Sequence, residues 1–182
     1  LEHLATTHLQ RGQTVEAIAA YERILAIARK PAYLAQIEYR IAELLLDSER
    51  EDEAKAHLLR ITNDFPEERH AVLAVEKLRD SGLGGIGPFR SGLIYYYNQR
   101  YAEAAASIKT YLDNWPDGEA APSAHYYRAR ALWHLGGRSD AVAELTSLLR
   151  RFPQSHRADE GALLRAEYLA AMGNLQAAID SY

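Results

Sequence analysis

The chain has 182 residues, a formal net charge of −4 and no cysteine. Disulfides and thiolate metal sites are therefore excluded, and there is no basic surplus of the kind that marks a nucleic-acid surface. No apolar run approaches the roughly 18–20 residues of a membrane span. A chain of this length is one ordinary domain or one stretch of a repeat array, and it can bury a substantial core. It opens Leu1-Glu2-His3-Leu4, with no initiating Met and no basic start followed by an apolar stretch. It therefore reads as a fragment whose targeting segment lies elsewhere. The lack of cysteine fits an extracytoplasmic chain, so the cell envelope is the favoured location.

In chain order, the first periodic element is "GQTVEAIAAYERIL" from Gly12. Here Ala17, Tyr21, Ile24 and Ala28 share one helical face, flanked by Ile18 and Leu25. "EREDEAKAHLLRIT" from Glu49 repeats the pattern around Ala54 and is followed by Pro66. Next, "EERHAVLAVEKLRDSG" sets Ala71, Ala74, Val75 and Leu78 on one face, an additional helix that breaks at "GLGGIGP". A fresh helix begins near Pro88, a residue suited to a first helical turn. "QRYAEAAASIKTYL" from Gln99 carries the stripe Ala104, Ile108, Tyr111, Leu112 and leads to Pro116. "GRSDAVAELTSLLR" from Gly137 and "GNLQAAIDSY" from Gly173 give the last two copies, around Ala141 and Ala178.

The aligned alanines are spaced 37, 50, 37 and 37 residues apart, and Pro66, Pro116 and Pro153 are spaced 50 and 37. A period in this range means stacked supersecondary units, each a pair of helices. Turns within the pairs carry Gly12, Gly136, Gly137 and Gly173, glycine being suited to the left-handed residue that ends a helix. No alternating run bounded by hairpin turns suggests a strand.

The pattern resembles the tetratricopeptide repeat, with a small residue and an aromatic in helix A, Ala and an aromatic or aliphatic residue in helix B, then Pro. The third unit fits best: Gly92, Tyr95, Ala104, Ile108, Pro116. The others carry Ala5, His8, Ala17 and Tyr21; Ala42, Leu45, Ala54 and Leu58; Ala129, Leu132, Ala141 and Leu145; and Ala166, Leu169, Ala178 and Tyr182. The family's early Trp is absent, and the period exceeds the usual 34 residues or so, as in units resembling those of bacterial envelope proteins. The resemblance implies an all-α fold, an α-α superhelix of stacked helical hairpins. The expected organisation is two repeats over residues 1–66, an extra helix and glycine-rich link over 67–87, and three repeats over 88–182, in one continuous solenoid. The extra helix, the link and "FRSGLIYYYNQRYAEAAASIKTYL" in that order also resemble the helical, non-catalytic region of soluble lytic transglycosylases.

Catalytic and cofactor signatures are missing. Gly82, Gly84 and Gly87 have the G-x-G-x-x-G spacing, but a helix precedes them where a dinucleotide site needs a strand, so they read as a joint. The seven histidines form no HExxH and no i, i+4 pair. His156 with Asp159 and Glu160 is the nearest approach to a ligand cluster. The acidic run from Asp47 to Glu53 reads as a solvated turn before a helix N-terminus. No G-x-S-x-G elbow occurs. The expectation is a fragment with no enzymatic activity, no cofactor and no metal.

The site expectation comes from the aromatic residues. Tyr95, Tyr96 and Tyr97 fan around a helix at about 100° per residue. Tyr95 takes the family's core slot. Tyr96 and Tyr97 are then directed to the concave face, with Leu93 and Phe89 one and two turns earlier. The equivalent positions in the fourth repeat are Trp133, His134, Arg130 and Tyr126; in the second, Tyr39 and Glu43; in the fifth, Leu163 and Glu167. Tyr, Trp and Arg are enriched at binding hot spots. The resemblance implies a protein or extended peptide as partner. An aromatic groove also suits the glycan of peptidoglycan, and apolar faces at the chain ends suit self-association. Tyr96→Ala and Trp133→Ala are expected to weaken binding without loss of helicity.

Overall fold

The structure is a computed structural model, described over residues 1–179; Tyr182, which ends the fifth stripe, lies outside the described residues. Eleven helices and no strand occur among the described residues. They fall into two compact units, Leu1–Ile86 and Gly87–Tyr182. The first unit holds α1 (Glu2–Gln10), α2 (Thr14–Ile27), α3 (Pro31–Asp47), α4 (Glu51–Asp64) and α5 (Arg69–Asp80). The second holds α6 (Pro88–Tyr97), α7 (Tyr101–Asn114), α8 (Ala121–His134), α9 (Arg138–Arg151), α10 (Ala158–Ala171) and the short α11 (Leu175–Ile179). Prolines open α3 and α6, where a missing N–H costs nothing.

Within each unit, consecutive helices pack on one another, and the first helices of neighbouring pairs also touch: α3 on α5, and α6 on α8. Small residues set the crossing inside each hairpin. Ala5 is matched with Ala17 by the repeat register, which likewise matches Ala42 with Ala54, Gly92 with Ala104, Ala129 with Ala141 and Ala166 with Ala178. Apart from the glycine, these residues are at most 7% exposed. At Gly92 the crossing is tight, since a Cβ there would lie 2.4 Å from Ile108 Cγ1. Larger side chains then fill the space around the crossing. In the first unit they are Ile18, Tyr21, Ile24, Ile37, Ile41 and Leu45. In the second they are Ile108 and Leu112 between α7 and α8, and Leu145 and Leu148 beneath α8 and α10. Area removed from water is the main stabilising term in such cores.

One turn is used five times. Its central residue is in the left-handed region at Gly12 (φ 72°), Glu49 (60°), Gln99 (61°), Gly136 (82°) and Gly173 (83°). The following amide closes back on the first helix, as in Gln13 N–H to His8 O, Arg50 to Leu45, Arg100 to Tyr95, Gly137 to Leu132 and Asn174 to Leu169. These bonds satisfy carbonyls that the helix end leaves open. Gly137, which the sequence groups with the turn glycines, is instead the helix-capping residue at φ −76°. The left-handed position belongs to Gly136 and, in two repeats, to residues other than glycine.

The link from one pair to the next is equally regular. Phe65, Trp115 and Phe152 end α4, α7 and α9 with φ near −130°. Their carbonyls accept the amides of Glu68, Gly118 and Ser155. Those residues in turn accept the amides of Ala71, Ala121 and Ala158 at the start of the next helix. Helix α5 thus begins as the first helix of a pair does, and the glycine-rich stretch stands where its partner would.

Candidate partner-binding face

The tyrosine row begins at the C-terminal turn of α6. Tyr95 is buried against α7, with the Arg100 guanidinium 5.5 Å from its ring centroid. Tyr96 is also buried, at 9% exposure, and its ring meets Tyr97, Tyr101, Tyr127 and His134 at centroid distances of 5.9, 5.7, 5.3 and 6.5 Å. Tyr97 is more open, at 37%. Its hydroxyl lies 3.3 Å from that of Tyr127. Edge-to-face rings of this kind stabilise one another beyond their buried area. Burial raises the Tyr96 phenol above its ordinary value, against the opposing pull of Arg130.

Helix α8 supplies the other wall. Arg130 lies over Tyr96 at 5.3 Å and over Tyr126 at 5.7 Å. Arg157, which pairs with Glu160, lies 5.0 Å from Tyr126 and 5.5 Å from Tyr127. His134 stacks on Tyr101 at 4.1 Å and 4°. Trp133 stacks on Tyr168 of α10 at 3.8 Å and 7°, with Arg138 over its ring at 5.5 Å. Burial, the largest influence on the Tyr168 hydroxyl, raises its pKa to about 12, so it stays protonated.

Six of the residues expected from the sequence therefore come together: Tyr96, Tyr97, Tyr126, Arg130, Trp133 and His134. Tyr101, Tyr127 and Tyr168 join them without having been singled out. Tyr127 sits at helical spacing from Arg130 and His134, so a second stripe through the same cation was available in the sequence. Tyr168 aligns with the buried Ile94 and Ala131 of the two preceding repeats, and only the repeat register points to it.

The other expected residues lie apart. Phe89 turns to Tyr111, 5.4 Å away, and lines an apolar recess of about 440 Å³ with Pro88, Trp115 and Gly118. Leu93 is partly buried, while Leu163 and Glu167 are exposed on α10. Tyr39 and Glu43 belong to the first unit. There they line a recess of about 380 Å³ with Glu2, Tyr21, Arg40 and His70, the Tyr39 and His70 rings being 5.8 Å apart. Glu43 is engaged by Arg40 at 3.3 Å. Among the described residues, no three His, Asp or Glu side chains converge as a metal site would require. No helix among them is long and apolar enough to cross a membrane.

These repeated hairpins define a helical-repeat protein of the α-solenoid class. Three tetratricopeptide-repeat family models match the chain, over residues 8–78, 89–138 and 123–155. The chain is thus built of tetratricopeptide repeats, a class of protein-interaction scaffolds that are typically non-catalytic. No curated protein matches it. Similar solved structures include MamA from AMB-1, 16% identical over 99% of this chain and 85% of that one, with a TM-score of 0.45. MamA from MSR-1 is 16% identical over 97% and 87%, with a TM-score of 0.46. The nearly identical TPR-like repeats of a Podosopora anserina kinesin light chain are 16% identical over 99% and 89%, also with a TM-score of 0.46.

Proposed function

We propose that this chain is a non-catalytic scaffold whose second unit holds an extended segment of a partner protein against the face formed by α6, α8 and α10. The observation that carries this reading is the concentration of rings and guanidinium groups there. Tyr97 and His134 pack on buried Tyr96, Arg130 lies over both Tyr96 and Tyr126, and Trp133 stacks on Tyr168 beside them. Aromatic side chains present large contact area with few torsions to freeze, so ordering them on binding costs little. The first unit offers a more polar recess of the same origin around Tyr39, Arg40, Glu43 and His70.

The test is affinity for the physiological partner, measured with Tyr97→Ala, Trp133→Ala and, on the exposed face of α7, Thr110→Ala. The first two variants are expected to weaken binding at least tenfold, with circular dichroism still helical, while Thr110→Ala binds as wild type. Equal affinities for all three would move the binding site elsewhere.

A further inference from the structure

Arg130 is held by aromatic rings and not by a carboxylate. Many others here meet a carboxylate: Arg50 with Glu53, Arg60 with Glu38, Arg100 with Glu103, Arg151 with Asp117 and Arg157 with Glu160. Arg130 pairs with none among the described residues. It is partly buried, and what it touches is the π-face of Tyr96 on α6 and of Tyr126 on its own helix. A guanidinium carries its five N–H donors in its plane, so contact with ring faces leaves the donating edge unspent. A cation partly withdrawn from water, fixed in direction by two rings and with its donors unused, is prepared for a planar anion that can take two N–H bonds side by side.

The neighbouring carboxylates count against a highly charged anion. Arg157, the other guanidinium against Tyr126, is already neutralised by Glu160. Glu167 lies close enough to raise the Tyr168 hydroxyl and opposes a second negative charge. The planar fork of Arg130 matches one carboxylate, and Arg138, over the Trp133 ring at 5.5 Å, is a second guanidinium on the same surface. The flanking apolar surface is aromatic, from Tyr126 on one side to the stacked Trp133 and Tyr168 on the other.

We infer that Arg130 is a specificity-determining residue that accepts the side-chain carboxylate of an Asp or Glu in the partner segment, with an aromatic or aliphatic neighbour of that acid lying on the Tyr126–Trp133 surface. This deepens the proposed function and rests on it. In the first unit the aligned position is Glu43, already engaged by Arg40, so acid selection belongs to the second unit.

The probe is a random heptapeptide library displayed with its C-terminus fused to the carrier, so that no free terminal carboxylate is offered. It is selected on the whole chain and on Arg130→Gln. Wild type is expected to enrich peptides with Asp or Glu beside an apolar residue, and Arg130→Gln to enrich the apolar residue without the acid. In a synthetic copy of the selected peptide, Glu→Gln should weaken binding to wild type about tenfold and to Arg130→Gln less than twofold. Arg130→Lys, with charge but no planar fork, should fall between. Unchanged melting of each variant excludes a folding defect. Selection without acid enrichment, or acid enrichment that persists in Arg130→Gln, overturns the inference but leaves the scaffold reading intact. Preference for phosphopeptide over carboxylate in a parallel set overturns it too. Failure of both proteins to select any peptide counts against the inference and the scaffold reading together.

Discussion

Gly92 is a residue at which this architecture has little tolerance. A Cβ there would stand 2.4 Å from Ile108 Cγ1 and 3.3 Å from the Ala104 carbonyl oxygen. Neither is the free end of a side chain, so the helices must separate, and Gly92→Ala is expected to destabilise by about 1–3 kcal/mol. Gly161 makes the informative contrast. Its added Cβ would meet the Leu148 Cδ2 methyl at 2.6 Å, which a rotamer change can withdraw, so Gly161→Ala should cost less by thermal denaturation. The opposite sign is expected at Gln99, a left-handed residue with a Cβ. Gln99→Gly removes a strain of about 1 kcal/mol at a position that does not need the side chain for its turn bonds, and should raise the melting temperature. This turn was only partly legible in the sequence. Glycine marks three of its five copies, whereas Glu49 and Gln99 are placed by the 37-residue register and not by residue type. Tyr96 shows the converse limit. Its place on the face was readable from helical spacing, but its burial under four rings was not, because those rings come from α7 and α8 as well as α6. Tyr96→Ala is therefore expected to lower the melting temperature, and Tyr97 replaces it as the probe of binding.

Between paired helices, two repeats share a clamp with its partners exchanged. Buried Glu38 of α3 accepts hydrogen bonds from His57 Nδ1 at 2.5 Å and Arg60 at 2.9 Å, both on α4. In the fourth repeat the aligned positions are His125 on α8 and Glu144 on α9, 2.6 Å apart, with Arg128 joining from α8. The same crossing is thus tied in both, with the carboxylate on opposite helices. At Glu38 burial alone would raise the carboxyl pKa, but the His57 and Arg60 hydrogen bonds outweigh it and hold it below the usual value. His125 behaves differently. Burial first, then Arg151 and Arg128, depress it from 6.5 to about 4. Its Nε2 is buried without a hydrogen-bond partner, which suits the neutral ring. Arg128 already meets the Glu144 charge, so no second cation is called for. The unfolded chain takes up this proton near pH 6.5 and the folded chain not until about pH 4. The contribution to stability is complete above 6.5 and is lost as pH falls between those values. Melting temperature should accordingly drop from pH 7 to pH 5, and by less in His125→Asn, whose amide can still donate to Glu144. An equal drop in both proteins would reject the assignment. At the helix crossings themselves, Ala104→Leu and Ala141→Leu fill positions with no exposed area. Each is expected to cost about 1–3 kcal/mol in denaturant unfolding.

Across the whole molecule, contacts within each unit run mainly between helices adjacent in the chain, the arrangement in which stability is close to a sum of repeat and neighbour terms. That locality explains why the helical fold was legible in the sequence: alanine spacing, repeat prolines and single-face stripes are all local signals. The proposed binding face was legible only in part. Aligning repeats singled out Arg130, Trp133, His134 and Tyr97 as candidates, because each occupies a matched helix position. It could not show that Phe89, in the same column as Tyr126, swings to Tyr111, since that choice depends on space left at the start of α7's neighbour. Nor could it show which arginines lack a carboxylate, a property of side chains three and four residues away as well as of other helices. The most direct measurement is site-specific photo-crosslinking in cells, with a photoreactive amino acid at position 97 on the proposed face or at position 110 on the exposed surface of α7, and the adducts mapped by mass spectrometry. A scaffold that reads its partner on the α6–α8–α10 face gives adducts to one contiguous segment of a single protein from position 97, none from position 110, and a reduced yield in Trp133→Ala. Adducts from position 110 but not 97, or a yield at 97 unaffected by Trp133→Ala, would contradict it.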